Sequence, residues 1–400
     1  MEASAKGRRV TAVRRKEESV TPLELFFDLV FVLALTQCTA LMAANPTWQG
    51  LAQGLLVLGV LWWAWVGYAW LTSVVDPEAG TVRLAIFAAM AAFLVAALAI
   101  PNAFGDDGLI FAAAYAFVRI AHIWLFTIAS RDDPGLRKSV IGLGASTALG
   151  VTLLLVASAT DGALQLLLWG AALLLDAAGP FVTGADGWSL MPAHFAERHG
   201  LILIIALGES IVAIGLGSNA VVDAGVIVAA ILGIAIAAAL WWIYFDVTVW
   251  VAEREFTEMD AGRDQNELGR DAYSYLHFGM VAGIVLLALG TKKTLEHVGD
   301  DLKTVPAVAL IGGVALYLLA LVAFRLRIMR SLSRTRLLSA VALLAFLPLG
   351  LVLPALATVA IVFAVLLALV LFEFVAYREF RDGVRNQLAR DNQADEAAAA

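Results

Sequence analysis

Apolar residues in this chain fall in long uninterrupted runs, not in the narrow stripes that mark helices of soluble proteins. A helix needs roughly 20 mostly apolar residues to cross the hydrocarbon core, and only a helix satisfies its own backbone there. The pattern predicts spans near residues 22–44, 50–72, 83–101, 109–129, 138–158, 163–182, 199–217, 224–247, 272–291, 305–325, 336–353 and 355–377. Pro348 and Pro354 suggest that the last two form a bent hairpin. The expected fold class is an all-α integral membrane protein of about twelve transmembrane helices.

Composition agrees. The chain is 61% hydrophobic and 15% charged, where an ordinary soluble chain is roughly a quarter charged. Its net charge of -7 is modest and its cations are scattered, which argues against a nucleic-acid partner. A lone cysteine, Cys38, excludes an intrachain disulfide and a Cys-based metal cluster. The basic leader (Lys6, Arg8, Arg9, Arg14, Arg15, Lys16) has the flavour of a secretion signal, but the run after it is too long and carries Glu24 and Asp28. There is no Walker loop, no GxGxxG and no nucleophile elbow, so ATP-driven pumping by this chain alone is not expected and no cofactor is called for.

Basic residues set the expected orientation. With both termini cytoplasmic, 23 of the 27 Lys and Arg residues fall on the cytoplasmic side, which the positive-inside rule favours. Lys292, Lys293 and Lys303 fall outside, and Arg119 lies within a span. Residues 250–271, of mixed charge, read as a cytoplasmic loop, and the tail after Arg378 reads as disordered. The halves also resemble each other. LWW recurs at 61–63 and 240–242, Glu24 and Glu197 open a first helix, Arg83 and Arg270 a third, and Asp176 matches Glu373 in a sixth. This order divides the chain into a leader at 1–21, a six-helix repeat at 22–182, a linker at 183–198, a second repeat at 199–377 and a tail at 378–400. Six spans per unit make the two repeats parallel, related by an axis along the membrane normal.

Ionisable groups inside spans are the candidate chemistry, because each costs about 2.5–3.5 kcal/mol at the bilayer centre and calls for a partner or a wet cavity. Glu24 and Asp28 share one face of the first helix, and Arg119 and His122 lie on the fourth. Asp176, Arg198, His199, Asp246, His277 and Glu373 belong to the same cytoplasmic-side layer, joined by Glu197, Arg270 and Tyr273. Glu209 stands alone about 15 Å deeper than His199, between Gly208 and Gly215, which allow close helix approach. This layer is either a polar cavity open to the cytoplasm or a set of struts, with Arg119 paired to Asp28 or Asp176. His194, Glu197 and His199 do not have H-E-x-x-H spacing, so no metal site is expected. The tryptophans of LWWAWVGYAW and LWWIYFDVTVW either line an aromatic pathway or pack helices, and Gly279 and Gly283 form a GxxxG contact.

TPLELFFDLVFVLALTQ at 21–37, ERHGLILIIALGESIVAIG at 197–215 and RDAYSYLHFGMVAGI at 270–284 together resemble the bacterial low temperature requirement protein A family. The resemblance implies a multi-spanning membrane fold and a link to growth in the cold, but no defined reaction. The family's recurrent polar positions match Glu24, Asp28, Glu197, Arg198, His199, Glu209, Arg270, Tyr273 and His277. More distantly, Phe26-Phe27-Asp28 is similar to the Phe-Ser-Asp motif of potassium channels with two six-helix repeats, although the second half here lacks the matching Asp.

These observations lead to an expected ion- or proton-coupled transporter of the inner (plasma) membrane, its partners the lipid bilayer and a small ion or solute. Glu209, Asp28 and His277 are the expected coupling groups. Two other classes stay open: a membrane-embedded enzyme acting on lipid through His199 or Glu197, and a non-catalytic scaffold or sensor of cold adaptation.

Overall fold

The computed structural model describes residues 19–383 except 183, 185, 186, 189, 218–222 and 380. Most of the basic leader and the tail from 384 onward lie outside the described residues. The remainder is helical: α1 Pro22–Ala44, α2 Trp48–Val74, α3 Gly80–Ala99, α4 Gly108–Ala129, α5 Pro134–Ala157, α6 Gly162–Val182, α7 Pro192–Gly217, α8 Ala224–Phe245, α9 Thr248–Thr257, α10 Arg263–Leu268, α11 His277–Glu296, α12 Thr304–Met329, α13 Arg334–Gly350 and α14 Ala355–Ala376. Eleven helical segments among the described residues are long and apolar enough to cross a membrane. The remaining expected span, α13, has 17 residues with Pro348 inside it. At 1.5 Å per residue that is about 25 Å, short of the roughly 30 Å core.

Local chemistry sets several boundaries. A capping box starts α1: the Glu24 N–H donates to Thr21 Oγ1, while the Thr21 N–H donates to Glu24 Oε2 at 2.9 Å. Pro192 opens α7 seven residues before the expected start at 199, since its fixed φ suits a first helical position. The stretch 250–271, expected as a loop, is largely helical, comprising most of α9, all of α10 and the start of a π-helical turn at Gly269–Leu276 that runs into α11. Its charges misled because α9 keeps an apolar face, burying Ala252 and Phe256, beneath an exposed acidic and basic one.

The packing order within the first six helices recurs later in the chain. α1 packs on α2 and α3, α3 on α4, α4 on α5, α5 on α6, and α2 on α6. Likewise α7 packs on α8 and α11, α11 on α12, α12 on α13, α13 on α14, and α8 on α14. Between these sets α1 meets α7 and α11. Helix α11 is buried on nearly every side, and it approaches α12 so closely that a Cβ on Gly283 would lie 2.6 Å from the Gly313 carbonyl oxygen. The GxxxG expectation therefore falls on a real backbone contact. Outward faces of the peripheral helices are apolar and bare, as at Ile141, Leu167, Leu174 and Leu338, which suits lipid contact.

Candidate functional site

The N-terminal thirds of α1 and α7 lie side by side with α2 behind them, and their polar residues form one fully buried network. Arg198 Nη2 donates to Asp28 Oδ1 at 2.6 Å, and Arg198 Nη1 donates to Glu24 Oε1 and Thr72 Oγ1, each at 3.1 Å. Trp65 Nε1 donates to the same Asp28 oxygen at 2.8 Å. His194 bridges Glu24 Oε1 at 2.9 Å and Ser73 Oγ at 3.1 Å. Two carboxylates thus share one guanidinium, with His194 as a further partner of Glu24. Asp28 Oδ2 is buried without a hydrogen-bond partner. Beside Glu24 and Arg198 a cavity of ≈ 10 Å³, lined also by Tyr68 and Thr72, leaves room for about one water.

Further along the same seam, Thr36 of α1 donates its hydroxyl to Glu209 Oε2 of α7. Thr36 lies about 12 Å beyond Asp28 along α1. Contacts thus advance in the same sense along both helices, from Asp28–Arg198 to Thr36–Glu209, which makes α1 and α7 parallel neighbours. Glu209 is 1% exposed, and its Oε1 has no hydrogen-bond partner. Thr39 borders this carboxylate but spends its only proton on the Leu35 carbonyl at 3.2 Å. Gly208 and Gly215, expected to admit a close neighbour here, have nothing within 4 Å of a built Cβ, so they are not the contact residues of this seam.

A second cluster surrounds His199. Its Nδ1 donates to the Phe195 carbonyl at 2.8 Å, which leaves Nε2 of the neutral ring as an acceptor with no donor. His277 lies 5.2 Å away between ring centroids, donating from Nδ1 to Ala272 O at 3.1 Å and accepting at Nε2 from Tyr244 OH at 2.9 Å. Tyr273 stacks on His277. The π-turn sets this arrangement, because His277 reaches back five residues to Ala272 and Ser274 Oγ reaches back five to Gly269. Trp62 Nε1 and Trp70 Nε1 then donate to Ser274 O and Ser274 Oγ at 2.8 and 3.0 Å, tying α2 to the turn. These indoles are anchoring struts with specific partners.

The third cluster is Arg119, whose partner is Asp176 and not Asp28. Arg119 Nη2 meets Asp176 Oδ1 at 3.0 Å and Thr147 Oγ1 at 2.7 Å, and Nη1 meets Trp63 O at 2.9 Å. Tyr115 OH donates to Asp176 Oδ2 at 2.9 Å. His122 Nε2 donates to Gly67 O at 2.9 Å, and a side chain at 67 would collide with the ring, 2.8 Å from Cε1. Arg119, His122, Asp176, Trp63, Trp70 and Arg270 border a cavity of ≈ 60 Å³.

The other expected site residues have partners outside these networks, although Arg270 also reaches the wall of the Arg119 cavity. Arg270 pairs with Asp271 at 2.8 Å and sits over the Phe181 ring. Glu373 is held by Arg336 at 2.8 Å, and Asp246 lies 3.7 Å from Arg381. Glu197 is exposed and accepts only a backbone N–H, from Val20, among the bonds described, while His199 two residues on is wholly buried. The expected layer therefore resolves into three clusters, the first two joined by Trp65, which donates to Asp28 and lies 5.0 Å from the His199 ring, plus the residues Asp246 and Glu373 on other partners. Sequence reasoning missed Thr36, Thr72, Tyr115, Thr147, Ser274 and Arg336, neutral or loop-end residues whose roles depend on which helix they face.

The sequence model of the family described as bacterial low temperature requirement A protein matches residues 19–371. The chain is also similar, at 30% identity over 289 residues, to an uncharacterized protein RA0937 of Rhizobium meliloti (strain 1021), covering 68% of this chain and 69% of that one. No solved structure matches it.

Proposed function

Because the chain belongs to the bacterial low temperature requirement A family and is a multi-pass membrane protein, we propose that it carries a proton or small cation across the bilayer along the seam of α1 and α7. One observation carries this reading. Two carboxylates that share the seam, Asp28 on α1 and Glu209 on α7, each keep one fully buried oxygen with no hydrogen-bond partner. A buried carboxylate oxygen without a donor costs free energy that folding alone does not reward, and a passing cation or proton supplies what is missing.

The recurring helix order supports two six-helix repeats, with α1 and α7 as their equivalent first helices meeting near the pseudo-axis. Solute pathways in repeat-built transporters run at such junctions. The reading puts the protein in the inner membrane with both termini cytoplasmic, in keeping with 23 of 27 basic residues on that side. A lipid enzyme using Glu197 and His199 together has no comparable support, since one is exposed and the other sealed inside.

The test is flux into proteoliposomes of purified protein under imposed H⁺, Na⁺ and K⁺ gradients, comparing wild type with Glu209→Gln. Gln keeps the size and removes the charge, so gradient-driven flux should fall at least about ten-fold, the effect of roughly 1.4 kcal/mol on the rate-limiting barrier. Undiminished flux in folded Glu209→Gln protein removes Glu209 from the pathway. Silence of the wild type under all three gradients ends the transport reading.

A further inference from the structure

A larger cavity lies away from the seam, between the ends of α8, α12, α13 and α14. It holds ≈ 360 Å³, and its charged lining is Arg325, Arg336, Arg381, Asp246 and Glu373. Two of the cations are already matched. Arg336 grips Glu373 through Nε and Nη2 at 2.8 and 2.9 Å and donates from Nη1 to Thr248 at 3.0 Å. Arg381 lies 3.7 Å from Asp246 and donates to the Phe374 carbonyl at 3.0 Å. Arg325 makes no ion pair among the described residues, and its Nε is buried without a hydrogen-bond partner. Three guanidiniums of the lining thus face two carboxylates, and Arg325 is the one without an ion pair among the described residues.

We propose that this cavity binds a phosphate-type anion, with Arg325 as the residue that meets it. A guanidinium has a fork of donors that fits a phosphate in two-point contact, and Arg325 is the one arginine of the lining with that fork uncommitted. The first turn of α13 adds to the field: its N-cap, Ser333, lines the cavity and makes no side-chain cap, so first-turn N–H groups remain for an anion. Arg330 and Arg334, both exposed, adjoin the lining residues Met329, Ser331 and Ser333 in the chain and add positive charge outside the cavity. Trp242, Met329, Leu332 and Tyr377 make the rest of the wall partly apolar, so the site also accommodates a phosphate that carries an organic group, as in a lipid headgroup. The cavity bordered by Arg119 contrasts with it. That one also begins at the second tryptophan of an LWW, Trp63 against Trp242, and includes a carboxylate followed four residues later by a ring, Asp176 and Pro180 against Glu373 and Tyr377. There the arginine is held by Asp176, Thr147 and Trp63 through both terminal nitrogens; here it has no ion pair among the described residues. The proposal is independent of flux along the α1–α7 seam and stands or falls without it.

The experiment measures thermal unfolding of the full chain in phosphatidylcholine nanodiscs during titration with inorganic phosphate and, separately, with short-chain phosphatidylglycerol. Sodium chloride at matched ionic strength and short-chain phosphatidylcholine are the controls. Saturable stabilisation by at least one phosphate source is expected, weakened at least about ten-fold in Arg325→Gln, as for loss of a charged hydrogen-bonding partner. Arg330→Gln, exposed and outside the cavity, should change it less than about three-fold. Response to free phosphate assigns a soluble anion, and response to phosphatidylglycerol alone assigns the headgroup. Without ligand, Arg325→Gln should be at least as stable as wild type, since it removes an unpaired charge. No saturable response to either probe, equal binding by Arg325→Gln and wild type, equal loss in Arg330→Gln, or a ligand-free Arg325→Gln that is clearly less stable would each overturn the assignment.

Discussion

Removing one partner of the Arg119–Asp176 pair should be far more damaging than removing both. Both side chains are buried, with the guanidinium 3% and the carboxylate 6% exposed, and their closest atoms are 3.0 Å apart. At a charge separation of about 4 Å and an effective dielectric near 20, the attraction is about 4 kcal/mol. Asp176→Leu strips that attraction, leaves Arg119 charged in an apolar bundle and orphans the Tyr115 hydroxyl. The expected loss is about 3–5 kcal/mol. Arg119→Met should cost a similar amount by isolating Asp176. In the double variant no charge is stranded, and what remains is the unmet hydrogen bonding of Tyr115 and Thr147, worth about 1–3 kcal/mol together. The assay is reversible unfolding in mixed lipid–detergent micelles, read by helical circular dichroism for wild type, both singles and the double. A double-mutant cycle then gives a coupling of at least about 2 kcal/mol. Single losses below about 1 kcal/mol, or additivity within about 0.5 kcal/mol, would show that water reaches this pair and that it is no strut.

Two further outcomes follow from packing and topology. Gly283→Val drives a side chain into backbone atoms, the Gly313 carbonyl oxygen at 2.6 Å and the Tyr317 nitrogen at 2.8 Å; it should cost about 1–3 kcal/mol in the same unfolding assay, whereas Gly208→Ala, with nothing within 4 Å, should be neutral or mildly stabilising, and equal behaviour of the two refutes the tight α11–α12 contact. Exposed Lys303 and Lys138 should lie on opposite membrane faces; a membrane-impermeant amine reagent on intact cells should modify Lys303 and spare Lys138 until the membrane is opened, and the reverse order inverts the topology.

How far the sequence could be read depends on the length scale of the signal. Spans were legible because a bilayer demands the same thing of each one, a long apolar run, and α1 through α8 fall close to where hydropathy puts them. The exceptions have local causes. Pro192 starts α7 early, and the amphipathic α9 and short α10 stand where mixed charge suggested a loop. Buried ionisable groups were visible as misfits, so Glu24, Asp28, Arg119, Asp176, Arg198 and Glu209 could all be named. Asp176 was one of two partners expected for Arg119 and is the one it has; the other pairings could not be named. Pairing Asp28 with Arg198 requires knowing that α1 and α7 touch, 170 residues apart in the chain. Thr36 at Glu209 and Thr147 at Arg119 carry no mark at all, since a threonine in a span is ordinary until a charge faces it. The π-turn at Gly269–Leu276 was equally silent, because a one-residue change of register leaves no trace in hydropathy.

What the buried polar atoms have left over separates two kinds of chemistry in one bundle. Arg119 and Arg198 each have an unpartnered Nε, yet each is held to a carboxylate through its other nitrogens, so their charge is answered within the protein. Arg325 has the same orphaned Nε and no such carboxylate among the described residues. On the α1–α7 seam the leftover is of opposite sign: carboxylate oxygens on Asp28 and Glu209 and, on α7 ten residues before Glu209, the Nε2 lone pair of His199. Acceptors without donors attract cations, and a cation without acceptors attracts anions. If both leftovers were mere packing errors, capping each with a neutral isostere would stabilise the protein and change nothing else. If they are sites, Glu209→Gln changes flux and leaves phosphate binding intact, while Arg325→Gln changes phosphate binding and leaves flux intact. The two variants therefore cross-control each other, because a general folding defect would lower both readouts in both proteins.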